Sequence, residues 1–310
     1  MEEIRIFAPA TIANVSCGFD ILGLCLETVG DEMVIRKVPE KGIKITKIIG
    51  QDLPLETENN VAGVAGLALL ENIDIDFGFE IEIYKNIKPG SGIGSSAASS
   101  AGAVFGMNEL LGKPFSALEL VAFAMQGEKL ASGSAHADNV APALLGGFTL
   151  VRSYEPLDII KIDAPAELFA TVIHPQIEVK TSDSRSVLKQ QVSLKKMVKQ
   201  MGNLGGLISG LYTQDYALIS RSLHDDIIEP NRSILIPEFN KVKSSAISAG
   251  ALGAGISGSG PSIFALCKGE ETAKKVGKIM TEIYDNIHID YDVHVSKINQ
   301  HGIKVLEEKK

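Results

Sequence analysis

A glycine-rich loop between a predicted strand and a predicted helix is the feature that most constrains what this chain can fold into. Residues 79–84, FEIEIY, alternate apolar and charged side chains, which predicts a half-buried strand. The loop KPGSGIG follows directly, and the small residues from Ser95 to Leu111 predict a helix that lies close to the sheet. Free backbone N–H groups and a helix N-terminus then surround one concavity, which favours binding of an anion.

Three interpretations of this loop stay open on these residues alone. The first is a packing turn that binds no ligand. The second is a dinucleotide site, but the last glycine of G-x-G-x-x-G is missing and no second strand follows the helix soon. The third is a phosphate site of a different type, because Ser95 and Ser96 run into alanine where the common phosphate loop has a lysine.

Magnesium is the predicted source of the positive charge that the loop lacks. The hydroxyls of Ser95 and Ser96 suit phosphate oxygens and a hard metal ion that prefers oxygen ligands. Glu128 lies just before another turn of glycine and serine and is the candidate carboxylate ligand. The alternative for Glu128 is a solvated helix acid beside Lys129.

The remaining strand and helix signals predict an α+β protein of two domains. A chain of 310 residues exceeds the usual size of a domain with a single hydrophobic core. The turn-rich residues 154–165 predict the boundary, which gives domains 1–165 and 166–310. The closing order of strand, helix and strand suits a split β-α-β layer. Further strands are predicted at 4–7, 32–38, 43–49, 147–152, 168–173, 262–267 and 291–298, and helices at 60–71, 116–131, 192–212, 216–223, 237–249 and 270–286.

Composition argues against several partners and locations. The net charge is −8 and the basic residues are scattered, which argues against a nucleic acid or an anionic membrane as partner. Three cysteines are too few for a disulfide framework or a zinc site and suit a reducing compartment. The N-terminus lacks a signal-peptide pattern, and the uncharged residues 246–267 are too rich in glycine for a membrane span. We therefore expect a cytoplasmic protein.

Three stretches, in their order along the chain, resemble the three motifs of the GHMP small-molecule kinases. They are residues 8–23, APATIANVSCGFDILG, the loop 89–99, PGSGIGSSAAS, and residues 252–261, LGAGISGSGP. Residues 132–147, SGSAHADNVAPALLGG, resemble in particular the branch that phosphorylates L-homoserine. One departure is Ile93, where the superfamily more often has Leu or Met. The resemblance implies a two-domain fold with an N-terminal mixed sheet with helices and a C-terminal ferredoxin-like split β-α-β layer.

The resemblance also implies an activity. It implies phosphoryl transfer from ATP to the side-chain hydroxyl of L-homoserine in threonine biosynthesis, with Mg²⁺ as cofactor and a homodimer as the assembly. One alternative is a sister GHMP kinase that acts on another alcohol, such as mevalonate or shikimate. A different class would be a nucleotide-binding regulator that keeps the fold and has lost the chemistry.

Individual residues receive roles from the resemblance. A zwitterionic substrate needs a carboxylate for its ammonium group and cations for its carboxylate; Asp20 matches the first, and Arg185 and Arg232 match the second. Further substrate contacts are implied for Asn14, His136 and Thr181. The implied nucleotide contacts are Pro89, Gly90, Ser91, Gly92, Ile93, Gly94, Ser95, Ser96, Ala97, Ala98 and Ser99, with Gly258, Ser259 and Gly260 closing from the other side and Ser96 and Glu128 as metal ligands.

The pair Asp138-Asn139 is the implied catalytic feature. In related members such as mevalonate kinase the aspartate of a similar pair resembles a base, whereas in the branch closest to this chain the asparagine is expected against the reacting hydroxyl. An amide has no useful basicity, so we expect Asn139 to position the nucleophile in a reaction that needs little base catalysis. The role of Asp138 stays open: either Asp138 acts as a base, or Asn139 only positions the hydroxyl.

Overall fold

The computed structural model describes residues 1–179 and 181–309, with the side chains of Thr181 and Ser182 excepted. The strands are β1 (Glu3–Ala13), β2 (Leu22–Val38), β3 (Gly42–Ile49), β4 (Gly78–Tyr84), β5 (Phe148–Tyr154), β6 (Leu157–Ile162), β7 (Leu168–Pro175), β8 (Gly253–Ile256), β9 (Ile263–Lys268), β10 (Tyr291–Lys297) and β11 (Lys304–Lys309). The α-helices are α1 (Val61–Leu70), α2 (Ser95–Leu110), α3 (Ala117–Ser132), α4 (Val140–Leu145), α5 (Thr181–Ser186), α6 (Leu194–Thr213), α7 (Tyr216–Ser222), α8 (Glu229–Arg232), α9 (Phe239–Ser248) and α10 (Glu270–Asp285).

The first sheet is mixed and has seven strands. Its order is β11-β1-β2-β4-β3, and the β5-β6 hairpin joins it where β5 pairs with β2. Strands β3 and β4 run parallel, while the other paired neighbours are antiparallel. Alternate residues of β1, from Ile4 to Ile12, are fully buried because successive side chains of a strand point to opposite faces. Helices α1, α2 and α3 pack together, and α2 covers this buried face.

Glycines let helix α2 approach the sheet closely. A Cβ atom at Gly102 would lie 2.4 Å from the Sδ atom of Met33, and one at Gly106 would lie 2.5 Å from the Cδ1 atom of Ile35. Both positions exclude a larger side chain, because packed interiors leave no room for extra atoms. This confirms the close packing that the small residues of α2 predict, and it places the first turn of α2 at the end of the glycine loop.

The second sheet is antiparallel and has the order β10-β7-β9-β8. When these four strands are numbered along the chain, the order is 4-1-3-2, which is that of the ferredoxin-like split β-α-β arrangement. A second hydrophobic core lies between this sheet and helices α9 and α10, and it includes Phe239, Val242, Met280 and Tyr284. The α+β fold with a mixed sheet and a split β-α-β layer is thus confirmed.

Some elements differ from the sequence predictions. Strand β1 continues to Ala13, well past the predicted residues 4–7, and the third glycine motif contains strand β8. The domain boundary at residues 165 and 166 stays a prediction, but β11 pairs with β1, so residues 304–309 belong to the first sheet.

The dinucleotide interpretation is wrong, since the loop is followed by three helices and then by β5, which pairs antiparallel with β2. Within the described ranges, every helix is too short or too polar to cross a membrane.

Candidate active site

A cavity of about 1030 Å³ is lined by residues of all three segments that resemble the GHMP kinase motifs. Its walls come from the loop after β1, the loop before α2, the end of α3, the segment between α3 and α4, the segment after β7, and the loop between β8 and β9. The predicted site residues that line it are Asn14, Asp20, Pro89, Gly90, Gly92, Gly94, Ser95, Ser96, Ser99, Glu128, His136, Asp138, Asn139, Arg185, Arg232, Gly258 and Ser259. Residues far apart in the chain therefore meet in one concavity.

The glycine loop has the main-chain conformation that an anion cradle requires. Gly90, Gly92 and Gly94 have φ angles of 74°, 82° and 72°, which L-residues rarely adopt. A Cβ atom at Gly94 would lie 2.1 Å from the Oγ1 atom of Thr11, and one at Gly92 would lie 2.6 Å from the carbonyl oxygen of Gly260. Both conformation and space therefore demand glycine here, and α2 begins at Ser95 with its N-terminus at the cavity.

Several predicted loop contacts are buried. Ser91, Ile93, Ala97 and Ala98 are each at most 3% exposed, and Ile93 is part of the hydrophobic core. These residues expose little surface to a nucleotide, and their assignment as nucleotide contacts stays a prediction. In the third motif, Gly260 packs against Ile236 behind the cavity wall.

The loop also has a protein cation that the sequence analysis missed. Lys85 directly follows β4, lines the cavity and pairs with Asp31, and its Nζ atom donates to the carbonyl oxygen of Ser95 at 2.9 Å and to the hydroxyl of Ser99 at 3.1 Å. Burial lowers the pKa of Lys85, and the neighbouring Asp31 and Glu128 carboxylates oppose that shift. The available signal was a lysine directly after an alternating strand and three residues before the loop KPGSGIG.

Glu128 is suited to a metal ion. It lies in α3, which begins with the Ser116-x-x-Glu119 capping box that the sequence predicts. Burial raises the pKa of Glu128 to about 7, while Ser96 and Lys85 oppose the rise. Its Oε1 atom is buried and has no hydrogen-bond partner among the described residues, which leaves it available to a ligand.

The side chains present fit magnesium better than a metal that needs many protein ligands. Among residues 1–179 and 181–309, no group of three or more His, Cys, Asp or Glu side chains could hold a metal ion. Mg²⁺ is commonly bound by one or two carboxylates with water and substrate phosphates. Glu128 and Ser96 both line the cavity at the glycine loop and are the residues that would hold it.

The loop after β1 is anchored to the third motif. Asn14, Val15 and Ser16 have φ angles of 69°, 38° and 65°. The Asn14 side chain donates to the carbonyl oxygen of Gly258 at 2.8 Å and accepts from the N–H of Asp20 at 2.9 Å. Asn14 therefore lines the cavity but also holds two loops together, which the sequence analysis did not predict.

Asp20 and Arg185, which both line the cavity, form an ion pair. The Arg185 Nη2 atom lies 3.1 Å from the Asp20 Oδ1 atom and 2.7 Å from the His136 Nε2 atom. Since arginine only donates, His136 accepts at Nε2 and carries its proton on Nδ1, 4.0 Å from the Asp20 Oδ2 atom. Burial and the Arg185 charge lower the pKa of His136, and Asp20 opposes them, so the ring is neutral at pH 7.

The second arginine, Arg232, is buried and donates hydrogen bonds to the main chain. Arg232 is 3% exposed, and its guanidinium donates to the carbonyl oxygens of Ser184 and Gly258, each at 3.0 Å. Its Cζ atom lies 5.0 Å from the centroid of the Phe19 ring, a distance suited to a cation–π contact. Arg232 lines the cavity beside Asp20 and Arg185. The predicted contact of the Thr181 side chain lies outside the described residues.

Asp138 and Asn139 line the same cavity as the glycine loop and the Asp20–Arg185 pair. Burial, with the Asp20 and Glu128 carboxylates, raises the pKa of Asp138 to about 7. The Asn139 Oδ1 atom accepts a hydrogen bond of 2.7 Å from the Thr11 hydroxyl, which leaves the amide N–H groups as the free polar atoms of that side chain. Thr11 lies within the first motif, but no property of the sequence marked it as the partner of Asn139.

Comparisons with known proteins match the whole chain. The model of the GHMP kinases N terminal domain matches residues 59–147, and that of the GHMP kinases C terminal domain matches residues 194–286. A homoserine kinase of Chlorobium phaeobacteroides is 46% identical over 99% of this chain and 100% of its own. The crystal structure of a homoserine kinase from Cytophaga hutchinsonii has a TM-score of 0.95 at 52% identity, over 99% of this chain and 98% of its own. An L. major mevalonate kinase in complex with R-mevalonate has a TM-score of 0.69 at 16% identity, over 95% of this chain and 96% of its own, a similarity of fold alone.

Proposed function

Because this chain belongs to the homoserine kinase family of the GHMP kinases, we propose that it transfers the γ-phosphoryl group of ATP to the side-chain hydroxyl of L-homoserine. The observation that carries the proposal is one cavity with a phosphate cradle at one end and a group of opposite charges at the other. The product is O-phospho-L-homoserine, an intermediate of threonine biosynthesis.

The charged end of the cavity suits a zwitterion. Asp20 and Arg185 form an ion pair, so a substrate that pairs with only one of them leaves the other without a partner. A substrate with both an ammonium group and a carboxylate replaces the pair by two new pairs, one with Asp20 and one with Arg185, and Arg232 adds a second cation for the carboxylate. This argues against mevalonate and shikimate, which carry no ammonium group.

The chemistry follows from positioning and charge. The loop amides and the N-terminus of α2 bind the phosphates, which carry the negative charge that spreads in the transition state. Lys85 holds the main chain at the start of that helix through the Ser95 carbonyl oxygen. When bound by Ser96 and Glu128, Mg²⁺ neutralises charge on the phosphate oxygens. The amide N–H groups of Asn139 donate to the substrate hydroxyl oxygen and hold its lone pair toward the phosphorus atom.

Asp138 is the acceptor for the hydroxyl proton in this scheme. It lies two residues after His136, an implied substrate contact. Its raised pKa brings it into the range where a group exchanges protons near pH 7. The transition state demands little base catalysis, so proton transfer comes late and Asn139 remains the positioning group. The assembly into a homodimer and the cytoplasmic location stay predictions.

A coupled assay with ATP and Mg²⁺ tests the proposed function. Turnover is expected with L-homoserine, and kcat/KM should be at least about 100-fold lower with mevalonate or shikimate, since these have no ammonium group to pair with Asp20. ATP binding by folded protein without turnover of L-homoserine would contradict the proposal and would favour the regulator. Turnover of mevalonate or shikimate at a similar rate would favour a sister kinase.

A further inference from the structure

We propose that Tyr154 positions the carboxylate of Asp20 for the ammonium group of the substrate. The proposal rests on the proposed function, because it takes Asp20 as the partner of that ammonium group. Tyr154 is the last residue of β5. It lies outside the three segments that resemble the GHMP kinase motifs and outside residues 132–147. It acts through the main chain of Asp20 and is a positioning residue.

The main chain at Asp20 is held in a left-handed conformation by two side chains. Its φ angle is 60°, in a region that aspartate occupies more readily than most residues with a Cβ atom but less readily than the right-handed region. The N–H of Asp20 donates to the Oδ1 atom of Asn14 at 2.9 Å, and its carbonyl oxygen accepts from the hydroxyl of Tyr154 at 2.8 Å. Because the backbone angles set the direction of the Cα–Cβ bond, these hydrogen bonds determine where the carboxylate points.

The same hydroxyl joins Asp20 to the catalytic segment. It accepts a hydrogen bond of 3.3 Å from the N–H of Ala137, the residue before Asp138. The Tyr154 ring meets the His136 ring edge to face, with 6.5 Å between the centroids. One phenol group thus sets the spacing between the loop that carries Asp20 and the segment that carries His136 and Asp138.

The protonated phenol is the form that this arrangement needs. Burial raises the pKa of Tyr154 to about 12, so the hydroxyl keeps its proton and donates it to the Asp20 carbonyl oxygen throughout the neutral range. Both hydrogen-bonding functions of the hydroxyl are used, one as donor and one as acceptor. A phenylalanine would keep the ring contact with His136 and remove both hydrogen bonds.

Tyr154→Phe is therefore the variant that tests the proposal. Loss of the hydroxyl lets Asp20 relax from the left-handed conformation, and KM for L-homoserine should rise about tenfold while KM for ATP changes less than about twofold. Tyr284→Phe is the matched control, since its hydroxyl donates to the carbonyl oxygen of Pro237 at 3.1 Å in the second core. Both variants lose one hydroxyl that donates to a main-chain carbonyl oxygen, and only Tyr154→Phe should change KM for L-homoserine.

A double-mutant cycle with Asp20→Asn separates positioning from a general structural effect. If Tyr154 acts through the Asp20 carboxylate, Tyr154→Phe should change KM for L-homoserine less than about twofold when Asp20 is already asparagine. An equal change in both backgrounds would overturn the proposal, and so would equal changes in the two KM values. An unchanged KM for L-homoserine in Asp20→Asn alone would also overturn it, since Asp20 would then not bind the substrate.

The two proposals fail in different ways. No turnover of L-homoserine by the wild-type protein would reject the proposed function and, with it, a role of Tyr154 in binding that substrate. Wild-type turnover combined with an unchanged KM in Tyr154→Phe would reject the role of Tyr154 alone.

Discussion

The hydroxyl of Thr11 donates a hydrogen bond of 2.7 Å to the Oδ1 atom of Asn139, across 128 residues of sequence. Thr11 is fully buried in β1, and Asn139 lies at the start of α4, so the first sheet orients the Asn139 amide. The hydrogen bond decides which end of the amide is free, because Oδ1 is occupied and the N–H groups are not. This contact supports the proposed role of Asn139 as a donor to the nucleophile.

Thr11→Val should lower kcat about tenfold with little change in either KM. Valine has nearly the shape of threonine but cannot hold the amide oxygen, so the Asn139 side chain rotates between its two orientations and is productive for a smaller part of the time. Steady-state kinetics measures the effect. Thr171→Val is the matched control, because the buried Thr171 hydroxyl donates to the carbonyl oxygen of Ala273 at 2.7 Å, away from the cavity. Similar losses of kcat in both variants would contradict the orientation of Asn139 by Thr11.

Arg232→Leu should raise KM for L-homoserine about 100-fold, and KM for ATP far less. The variant removes a buried cation that the substrate carboxylate needs, and such charge-assisted contacts contribute roughly 2–5 kcal/mol. Arg152→Leu, which removes an exposed arginine paired with Asp158, should leave both constants nearly unchanged. Equal increases in the two KM values for Arg232→Leu would contradict a carboxylate clamp.

Glu128→Gln should stabilise the metal-free protein at high pH. The ordinary pKa of this carboxyl is 4.5 and burial raises it to about 7, so the folded state binds more protons than the unfolded state between these values. Wild-type stability therefore falls as pH rises from about 4.5 to 7, by roughly 3 kcal/mol for this group. Denaturant unfolding should show Glu128→Gln as the more stable protein at pH 8 and a much smaller difference at pH 5.

The same variant should bind MgATP more weakly, because glutamine offers a neutral oxygen in place of a carboxylate. Glu271→Gln, at a side chain that is 91% exposed, is the control and should change neither quantity. A stability difference for Glu128→Gln that is the same at pH 5 and pH 8 would show that the buried carboxylate is not the cause.

Asp138→Asn tests the proton acceptor. A base must lose its proton before it acts, so kcat/KM for L-homoserine should rise with pH through about 7, the value to which burial and nearby carboxylates raise the pKa of Asp138. At saturating Mg²⁺, where bound metal keeps Glu128 ionised, the variant should lose this inflection, and its kcat should fall about tenfold, less than a strong general base contributes. An inflection and a kcat that survive in Asp138→Asn would leave positioning by Asn139 as the catalytic contribution of this pair.

Local sequence patterns predicted most of the individual elements. The alternation of Phe79, Ile81 and Ile83 predicted β4, and the small residues after Ser95 predicted how closely α2 packs, because both signals depend on side chains a few positions apart. Family motifs extended the prediction to the fold and to the residues that meet in the cavity. The pairing of β11 with β1 was missed, since its exposed residues EEK carry little apolar pattern.

The sequence by itself determined the order of strand, glycine loop and helix and, through its motifs, a fold of the GHMP type, and it predicted a set of charged residues suited to a zwitterion. Only the tertiary structure decided how those residues are held: Lys85 against Asp31 and the loop, Asn139 by Thr11, and Asp20 between Asn14 and Tyr154. These contacts join residues from separate strands and loops, and their existence depends on distances of about 3 Å that arise only when the sheet and its helices have packed.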